Sequence, residues 1–142
     1  MKIGIGSDHG GFELKQALIE HYKKKKNKFV DYGTNSEELC DYPDIARPLC
    51  KDVLGGKVDL GILICGAGIG MSMAANRYKG IRAALVYDTF AAQAAKEHNN
   101  ANVLTFGGRT MSLPDVVRYI DVFLYAQYKG GNHIVRNEKL DS

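Results

Sequence analysis

Five short β-rich segments alternate with helical segments along this chain of 142 residues. Regular alternation of strand and helix is typical of an open parallel sheet covered by helices on both faces. The segment at 58–64, VDLGILI, is apolar at nearly every position, as a central strand of such a sheet should be. The predicted strands are 2–6, 28–33, 58–64, 81–87 and 102–108. The sequence therefore predicts an α/β fold, a single doubly wound (Rossmann-like) domain with a five-stranded parallel sheet.

The helical segments are recognised by apolar residues three or four positions apart and by residues that favour helix starts. Asp88 is a suitable N-cap, Pro43 suits a first turn, and Pro48 is expected to distort that helix or shift its start. The predicted helices are 11–24, one opening at Pro43, 70–78, 88–99 and 113–128. A Gly-Gly break precedes one short helix in the tail. We expect one domain, 1–142, whose C-terminal tail at 129–142 contacts a neighbouring subunit.

Composition excludes several classes of protein. Hydrophobic residues make up 45% of the chain, charged residues 25%, and the formal net charge is +3, the profile of an ordinary globular protein. No apolar run approaches the roughly 20 residues that cross a bilayer, and the N-terminus has no secretory pattern. The isolated lysine run at 23–26 lacks the interleaved aromatic residues of a nucleic-acid surface. We therefore expect a cytoplasmic protein that binds neither membranes nor nucleic acid.

Two glycine-rich loops follow predicted strands, GSDHGG at 6–11 and CGAGIG at 65–70. Ligands of doubly wound sheets bind outside the carboxyl ends of the strands, where helix N-termini favour negative charge. Neither loop has the glycine spacing of a dinucleotide fingerprint, and no P-loop lysine is present. The loops therefore predict an anion pocket without a nucleotide cofactor, although tight turns alone also explain the glycines.

The three cysteines show neither a paired spacing nor a metal-finger pattern. Cys40 and Cys50 are interpreted as small packing residues, the usual fate of a free cysteine. Cys65 differs because it ends a strand immediately before a helix N-terminus, a position that stabilises the thiolate form. A thiolate there can act as a nucleophile or a base.

Four further side chains are candidates for the same pocket, three from the same chain and one from a neighbouring subunit. Asp8 and His9 lie on the first loop, and Arg109 follows the fifth strand at the same edge. His98 follows a helix that returns across the sheet, which places it near the amino edge of that strand. We therefore expect a neighbouring subunit to supply His98 to the pocket. The spacing of Asp8, His9 and His98 does not favour a metal site, and we expect none.

Five segments together resemble the ribose-5-phosphate isomerase B / galactose-6-phosphate isomerase family. They are GSDHGG (6–11), DYPDIA (41–46), CGAGIGMSMAANR (65–77), GIRAALVYD (80–88) and EHNNANVLTFGGR (97–109). The similarity extends from residue 2 to about 136. The resemblance implies an aldose-ketose isomerase of sugar phosphates that needs no metal or cofactor and forms homodimers or homotetramers with composite active sites.

The resemblance also implies a role for each matched residue. Cys65 is the base that takes a proton from C2 of ribose 5-phosphate and forms a cis-enediolate on the way to ribulose 5-phosphate. His98 is the acid that opens the sugar ring, and Asp8 assists near the ring oxygen. The implied substrate-binding residues are His9, Gly66, Ala67, Gly68, Ile69, Gly70, Asn99, Arg109, Asn132 and Arg136.

The chain departs from the family pattern at two of these positions. Ala67 stands where members with the cysteine often have threonine, so a hydroxyl is absent and ring opening depends on His98 and Asp8. Asn132 stands where many members have arginine, so a positive charge is absent. We expect weaker phosphate affinity or a shifted substrate preference.

Two alternatives remain open at the level of sequence. The substrate of the isomerase can be a six-carbon sugar phosphate such as allose or galactose 6-phosphate, because pocket depth depends on residues across an interface. A non-catalytic sugar-phosphate sensor on the same fold is the second alternative. Retention of both Cys65 and His98 favours the enzyme, since a sensor needs neither a base nor an acid.

Overall fold

The computed structural model describes all 142 residues and contains five strands and six helices. The strands are β1 (Lys2–Ser7), β2 (Lys28–Asp31), β3 (Leu60–Cys65), β4 (Ala83–Leu85) and β5 (Val103–Gly107). The helices are α1 (Phe12–Tyr22), α2 (Tyr42–Leu54), α3 (Ile69–Ala75), α4 (Thr89–Glu97), α5 (Leu113–Tyr125) and α6 (Asn132–Asp141). None of these helices combines the length and the apolar character that crossing a membrane requires.

The five strands form one parallel sheet in the order β2-β1-β3-β5-β4, which confirms the predicted fold class. β3 lies at the centre and all six of its residues are buried. In register, Ser7 of β1 lies beside Ile64 of β3, and Cys65 lies beside Gly107 of β5. The ends of β1, β3 and β5 therefore meet at one edge of the sheet, the carboxyl edge.

Helices cover both faces of the sheet. On one face α1, α4 and α5 bury a core that includes Leu18, Ile120 and Phe123. On the other face α2 and α3 bury a smaller core that includes Leu49 and Met71. Apolar side chains removed from water on both sides of the strands are the main source of stability of such a fold.

Several element boundaries differ from prediction. α3 ends at Ala75 instead of 78, because the Asn76 side chain turns to bond both backbone groups of Ala83, at 3.0 and 2.8 Å. β4 is limited to three residues. Pro48 does not shift the start of α2, which begins at Tyr42 and continues through Pro48. α1, α4 and α5 are also shorter than predicted, by up to three residues at an end.

The tail forms the predicted helix, α6, and packs against its own chain. Asp141 at the end of α6 accepts from the Arg82 guanidinium at 2.6 Å. Lys129, before α6, bonds the backbone of Glu97 at 3.0 Å and its carboxylate at 2.9 Å. The tail is thus attached beside the end of α4, at the amino edge of β5.

Candidate active site

The loops that follow β1, β3 and β5 interlock at the carboxyl edge. The backbone N–H of Asp8 donates to the carbonyl of Ile64 at 3.1 Å, which ties the first loop to β3. The N–H of Gly108 donates to the carbonyl of Cys65 at 2.8 Å, which ties the third loop to the second. The three loops that sequence analysis placed at one edge therefore form one connected surface.

Two glycines make this close approach possible. A Cβ atom on Gly108 would overlap the backbone of Gly10, so only glycine lets the first and third loops touch. Gly68 has a φ of +80°, in the left-handed region, and a Cβ there would lie 2.6 Å from the side chain of Leu85. Glycine is thus required in these loops for backbone packing as well as for turns.

Cys65 occupies the predicted position, the last residue of β3 before the glycine loop and α3. Its side chain is 5% exposed and packs in the core with Leu63 and Met71. The sulfur lines neither of the two cavities described below. In one chain, Cys65 is therefore almost closed to solvent.

Cys50 is the second buried cysteine, and it lies within a helix. Its side chain is fully buried on α2, and burial raises the pKa of this thiol to about 12. It stays protonated at neutral pH and packs as predicted. Cys40 differs from the prediction, because it is only half-buried and lies in a loop beside His9.

The first cavity, of about 560 Å³, lies beside the β1 loop and is lined by Asp8, His9, Cys40 and Tyr42 among others. Asp8 is 6% exposed, and its carboxylate accepts from the N–H of Gly10 at 2.8 Å, which fixes its orientation. His9 Nδ1 accepts from the backbone N–H of Cys40 at 3.3 Å. The proton of neutral His9 then lies on Nε2, which is left to donate to a ligand.

The second cavity, of about 300 Å³, joins His9 to Arg109. The Arg109 guanidinium lies over the glycine loop, 3.5 Å from the point where a Cβ on Gly66 would lie. Glu13 and Glu37 complete the lining on the outer side. A guanidinium and an imidazole N–H on one cavity suit a phosphate, which guanidinium groups bind through paired hydrogen bonds.

The remaining predicted residues lie together at the opposite, amino edge of the sheet. The ring of His98 stacks on that of His133, with centroids 4.5 Å apart and planes 15° apart. Burial, helped by the charges of His98, Arg136 and Lys129, lowers the pKa of His133. Asn132 and Arg136, the other two predicted residues of α6, are exposed beside this pair.

Cys65 and His98 cannot meet within one chain, because they lie near opposite ends of β5. Cys65 lies beside Gly107 at one end of β5, and His98 precedes Val103 at the other end. Four residue steps along a strand span about 13 Å. The position predicted for His98, away from its own chain's pocket, is therefore the one observed.

Sequence analysis did not assign Tyr42 or Cys40 to the site, although both line the first cavity. Tyr42, at the start of α2, packs its ring on Gly70, where a Cβ would lie 2.6 Å from the ring. Cys40 bonds His9 through its backbone, which no side-chain pattern reveals. Tyr42 was detectable, since it lies in the DYPDIA segment. No group of three or more His, Cys, Asp or Glu side chains could hold a metal ion.

Known protein families and sequences match this chain over nearly its whole length. The sequence pattern of the family described as Ribose/Galactose Isomerase matches residues 3–140. The chain is 44% identical to ribose-5-phosphate isomerase B of Escherichia coli over 139 residues, 98% of this chain and 93% of that protein. It is 43% identical to a putative sugar phosphate isomerase of Bacillus subtilis over 142 residues, 99% of this chain and 95% of that one.

Solved structures that superimpose on this chain include ribose 5-phosphate isomerases. A ribose 5-phosphate isomerase from Thermotoga maritima superimposes with a TM-score of 0.96 at 45% identity, covering 99% of this chain and 97% of that one. The type B ribose 5-phosphate isomerase of Trypanosoma brucei gives a TM-score of 0.93 at 40% identity, covering 99% and 96%. With the family pattern matched over nearly its whole length, the chain belongs to the ribose/galactose isomerase family.

Proposed function

We propose that this protein interconverts ribose 5-phosphate and ribulose 5-phosphate, a step of the non-oxidative pentose phosphate pathway. The observation that carries the proposal is Cys65 at the end of β3, at the sheet edge that also holds the glycine loop, Asp8 and the polar cavity lined by His9 and Arg109. Relatives named ribose-5-phosphate isomerase B at 44% identity support the choice of substrate. We expect the enzyme to act in the cytoplasm, where its charged substrates occur.

Cys65 acts as the base. Its thiolate takes the proton from C2 of the open-chain aldose, and the electron pair moves to form a cis-enediolate. Backbone N–H groups of the loop Gly66–Gly70 donate to the developing oxyanion, since this loop opens α3 and its N–H groups have no intrahelical partners. The protonated thiol returns the proton to C1, and the O2 proton is transferred to O1, which gives the ketose with no atoms gained or lost.

Ring opening precedes this step, because ribose 5-phosphate exists mainly as a furanose. His98 protonates the ring oxygen and Asp8 assists from the first loop. Since His98 lies at the far edge of its own sheet, a second copy of the chain supplies it, together with Asn99, which contacts the substrate. The active enzyme is thus a homodimer, alone or paired into a tetramer, with each site shared between two chains.

The substrate phosphate is held at the outer end of the site. His9 and Arg109 line one cavity on the first chain. We expect Asn132 and Arg136, which are exposed on α6, to approach from the partner chain, so the segment 129–142 contacts the neighbouring subunit in this proposal. The phosphate anchors the substrate through atoms that do not react, which lets binding energy hold the reacting carbons in place.

Exposed apolar side chains on α3 and α4 are suited to the dimer contact. Ile69 and Met73 on α3 are 51% and 59% exposed, and Phe90 on α4 is 77% exposed. Large exposed apolar side chains are a common mark of a protein interface, and we infer that these three belong to one patch at the dimer contact. A second copy that covers α3, which follows the glycine loop, lies next to that loop.

Phe90→Glu is therefore expected to weaken the dimer and to lower isomerase activity in parallel. Burying a carboxylate in an apolar contact costs several kcal/mol, which raises the dissociation constant of a dimer by orders of magnitude. Analytical ultracentrifugation at several protein concentrations measures the effect. A variant that stays dimeric at the same concentration as the wild type would show that the patch lies outside the interface.

Asn132→Arg is expected to lower KM for ribose 5-phosphate by about tenfold, with kcat little changed. The guanidinium adds a charge-assisted hydrogen bond to the phosphate, worth about 1.5–3 kcal/mol, part of which is lost to solvent screening at this exposed position. Steady-state kinetics on both proteins check the result. An unchanged KM would count against the contribution of position 132 to phosphate binding.

A coupled assay over five- and six-carbon aldose phosphates tests the proposal itself. The expected result is turnover of ribose 5-phosphate with a larger kcat/KM than for allose or galactose 6-phosphate, unchanged by a chelator. Preference for a six-carbon substrate would reassign the substrate within the family. Loss of activity with the chelator would require a metal in the mechanism, and no turnover of any sugar phosphate would favour a sensor.

A further inference from the structure

The turn that carries His98 is held by side chains from outside α4. The last carbonyl groups of a helix have no intrahelical donors and need other partners. Here the carbonyl of His98 accepts from the Asn137 amide at 3.0 Å. The carbonyls of Asn99 and Asn100 accept from the Arg82 guanidinium at 2.9 and 3.0 Å. All three carbonyls of this turn are therefore bonded by two side chains.

Asn137 is the one buried residue of α6, with 7% of its surface exposed. Its amide nitrogen donates to the carbonyl of His98 and to the hydroxyl of Tyr128, the latter at 3.1 Å. Its amide oxygen accepts from the Asn99 side chain at 3.4 Å. One buried side chain thus bonds the backbone of the proposed acid and the side chain of the neighbouring substrate-binding residue.

The same helix also constrains the imidazole ring of His98. His133, one turn before Asn137 on α6, stacks on that ring with centroids 4.5 Å apart. Asp141 at the end of α6 binds Arg82, which in turn bonds the other two carbonyls of the turn. Movement of α6 would therefore release the backbone and the ring together.

We infer that Asn137 is a positioning residue that fixes His98 and Asn99 in the geometry in which they are presented to the partner chain's site. The inference rests on the proposed function. Asn137 does not touch the reacting atoms, since its bonds are made to the turn 98–100 and Tyr128. Its contribution is to hold the ring-opening group still, because misplacement of a catalytic group by about 1 Å lowers a rate substantially.

The reaction offers a measurement that separates positioning of His98 from general damage. Ribulose 5-phosphate cannot form a furanose, because its C5 oxygen carries the phosphate. Exchange of its C1 proton with solvent requires only the base and the glycine loop, whereas net isomerisation of ribose 5-phosphate also requires opening of its furanose ring. Loss of His98 positioning therefore slows net isomerisation and leaves exchange intact, while loss of folding or of the dimer slows both.

The experiment compares Asn137→Ala with Glu138→Ala, an exposed neighbour on α6. In deuterated water, NMR measures exchange at C1 of ribulose 5-phosphate, and a coupled assay measures net isomerisation. We expect Asn137→Ala to lower net isomerisation about tenfold, as for the loss of one buried hydrogen bond, with exchange unchanged. Glu138→Ala should change neither rate. If Asn137→Ala does not fold, Asn137→Asp serves the same test, since it keeps the size of the side chain and removes both hydrogen bonds that the amide nitrogen donates.

Wild-type rates in both assays for Asn137→Ala would overturn the inference, and so would a parallel fall of both rates in a folded variant. An inactive wild-type protein would instead contradict the proposed function, and with it the need to position His98. The two failures are thus distinguished by the wild-type measurement alone.

Discussion

Alanine in place of Cys65 is expected to lower kcat for isomerisation by about 10²–10⁴-fold, the range typical of removing a general base. Binding of ribose 5-phosphate should persist, because the proposed phosphate contacts, His9 and Arg109 on the same chain and α6 of the partner, are unchanged in this variant. Exchange of the C1 proton of ribulose 5-phosphate should be lost to the same extent, because isomerisation and exchange both require the base to remove a proton from carbon. Steady-state kinetics, calorimetry and NMR measure the three quantities.

Cys50→Ala is the matched control. Cys50 is also buried in the same core, but it lies within α2 and not at the carboxyl edge of a strand, and burial keeps its thiol protonated at neutral pH. We expect its replacement to affect stability and leave kcat near that of the wild type. A Cys65→Ala enzyme with wild-type kcat would eliminate the thiol as the base, and absence of turnover in both the wild type and this variant would favour a sensor.

Asparagine in place of His98 is expected to lower net isomerisation by about a hundredfold, at the lower end of the range for a general acid. Exchange at C1 of ribulose 5-phosphate should continue at nearly the wild-type rate, since the open-chain ketose needs no ring opening. Cys65→Ala and His98→Asn therefore distinguish two proposed steps. Proton transfer takes place at the carboxyl edge of one chain, and ring opening takes place at the amino edge of its partner.

His21→Asn is the matched control for this variant, because His21 is exposed on α1. It should behave as the wild type in both assays. Equal losses of exchange and net isomerisation in the His98 variant would mean that His98 supports folding or assembly, and the assignment of the ring-opening acid would then be wrong.

The fold was predictable because its strands are locally distinctive. β3 is apolar along its whole length, β5 is apolar apart from Thr105, and glycine loops mark the ends of both strands. The helix ends were less predictable, because tertiary partners set them. Asn76 stops α3 by bonding Ala83, a residue that follows α3 in sequence and begins β4. The strand order likewise depends on packing between segments distant in sequence, which periodicity does not report.

The part of the candidate site that consists of titratable or charged side chains at the ends of strands was predictable. Asp8, His9, Cys65 and Arg109 follow three strands, and topology alone brings them to one edge. The backbone bond from Cys40 to His9 was not predictable, since a loop without periodicity gives no signal. Asn137 was missed for a related reason: one buried polar residue in an otherwise exposed tail helix is visible only once the helix is docked.

The central claim is that Cys65 of one chain and His98 of another form each active site. Mixing Cys65→Ala and His98→Asn protein, with dissociation and reassociation, tests it directly. Random pairing makes half of the dimers hybrid, and each hybrid holds one site with both residues intact, so about a quarter of wild-type activity should return. Activity that stays at the average of the two separate variants would show that each site is complete within one chain.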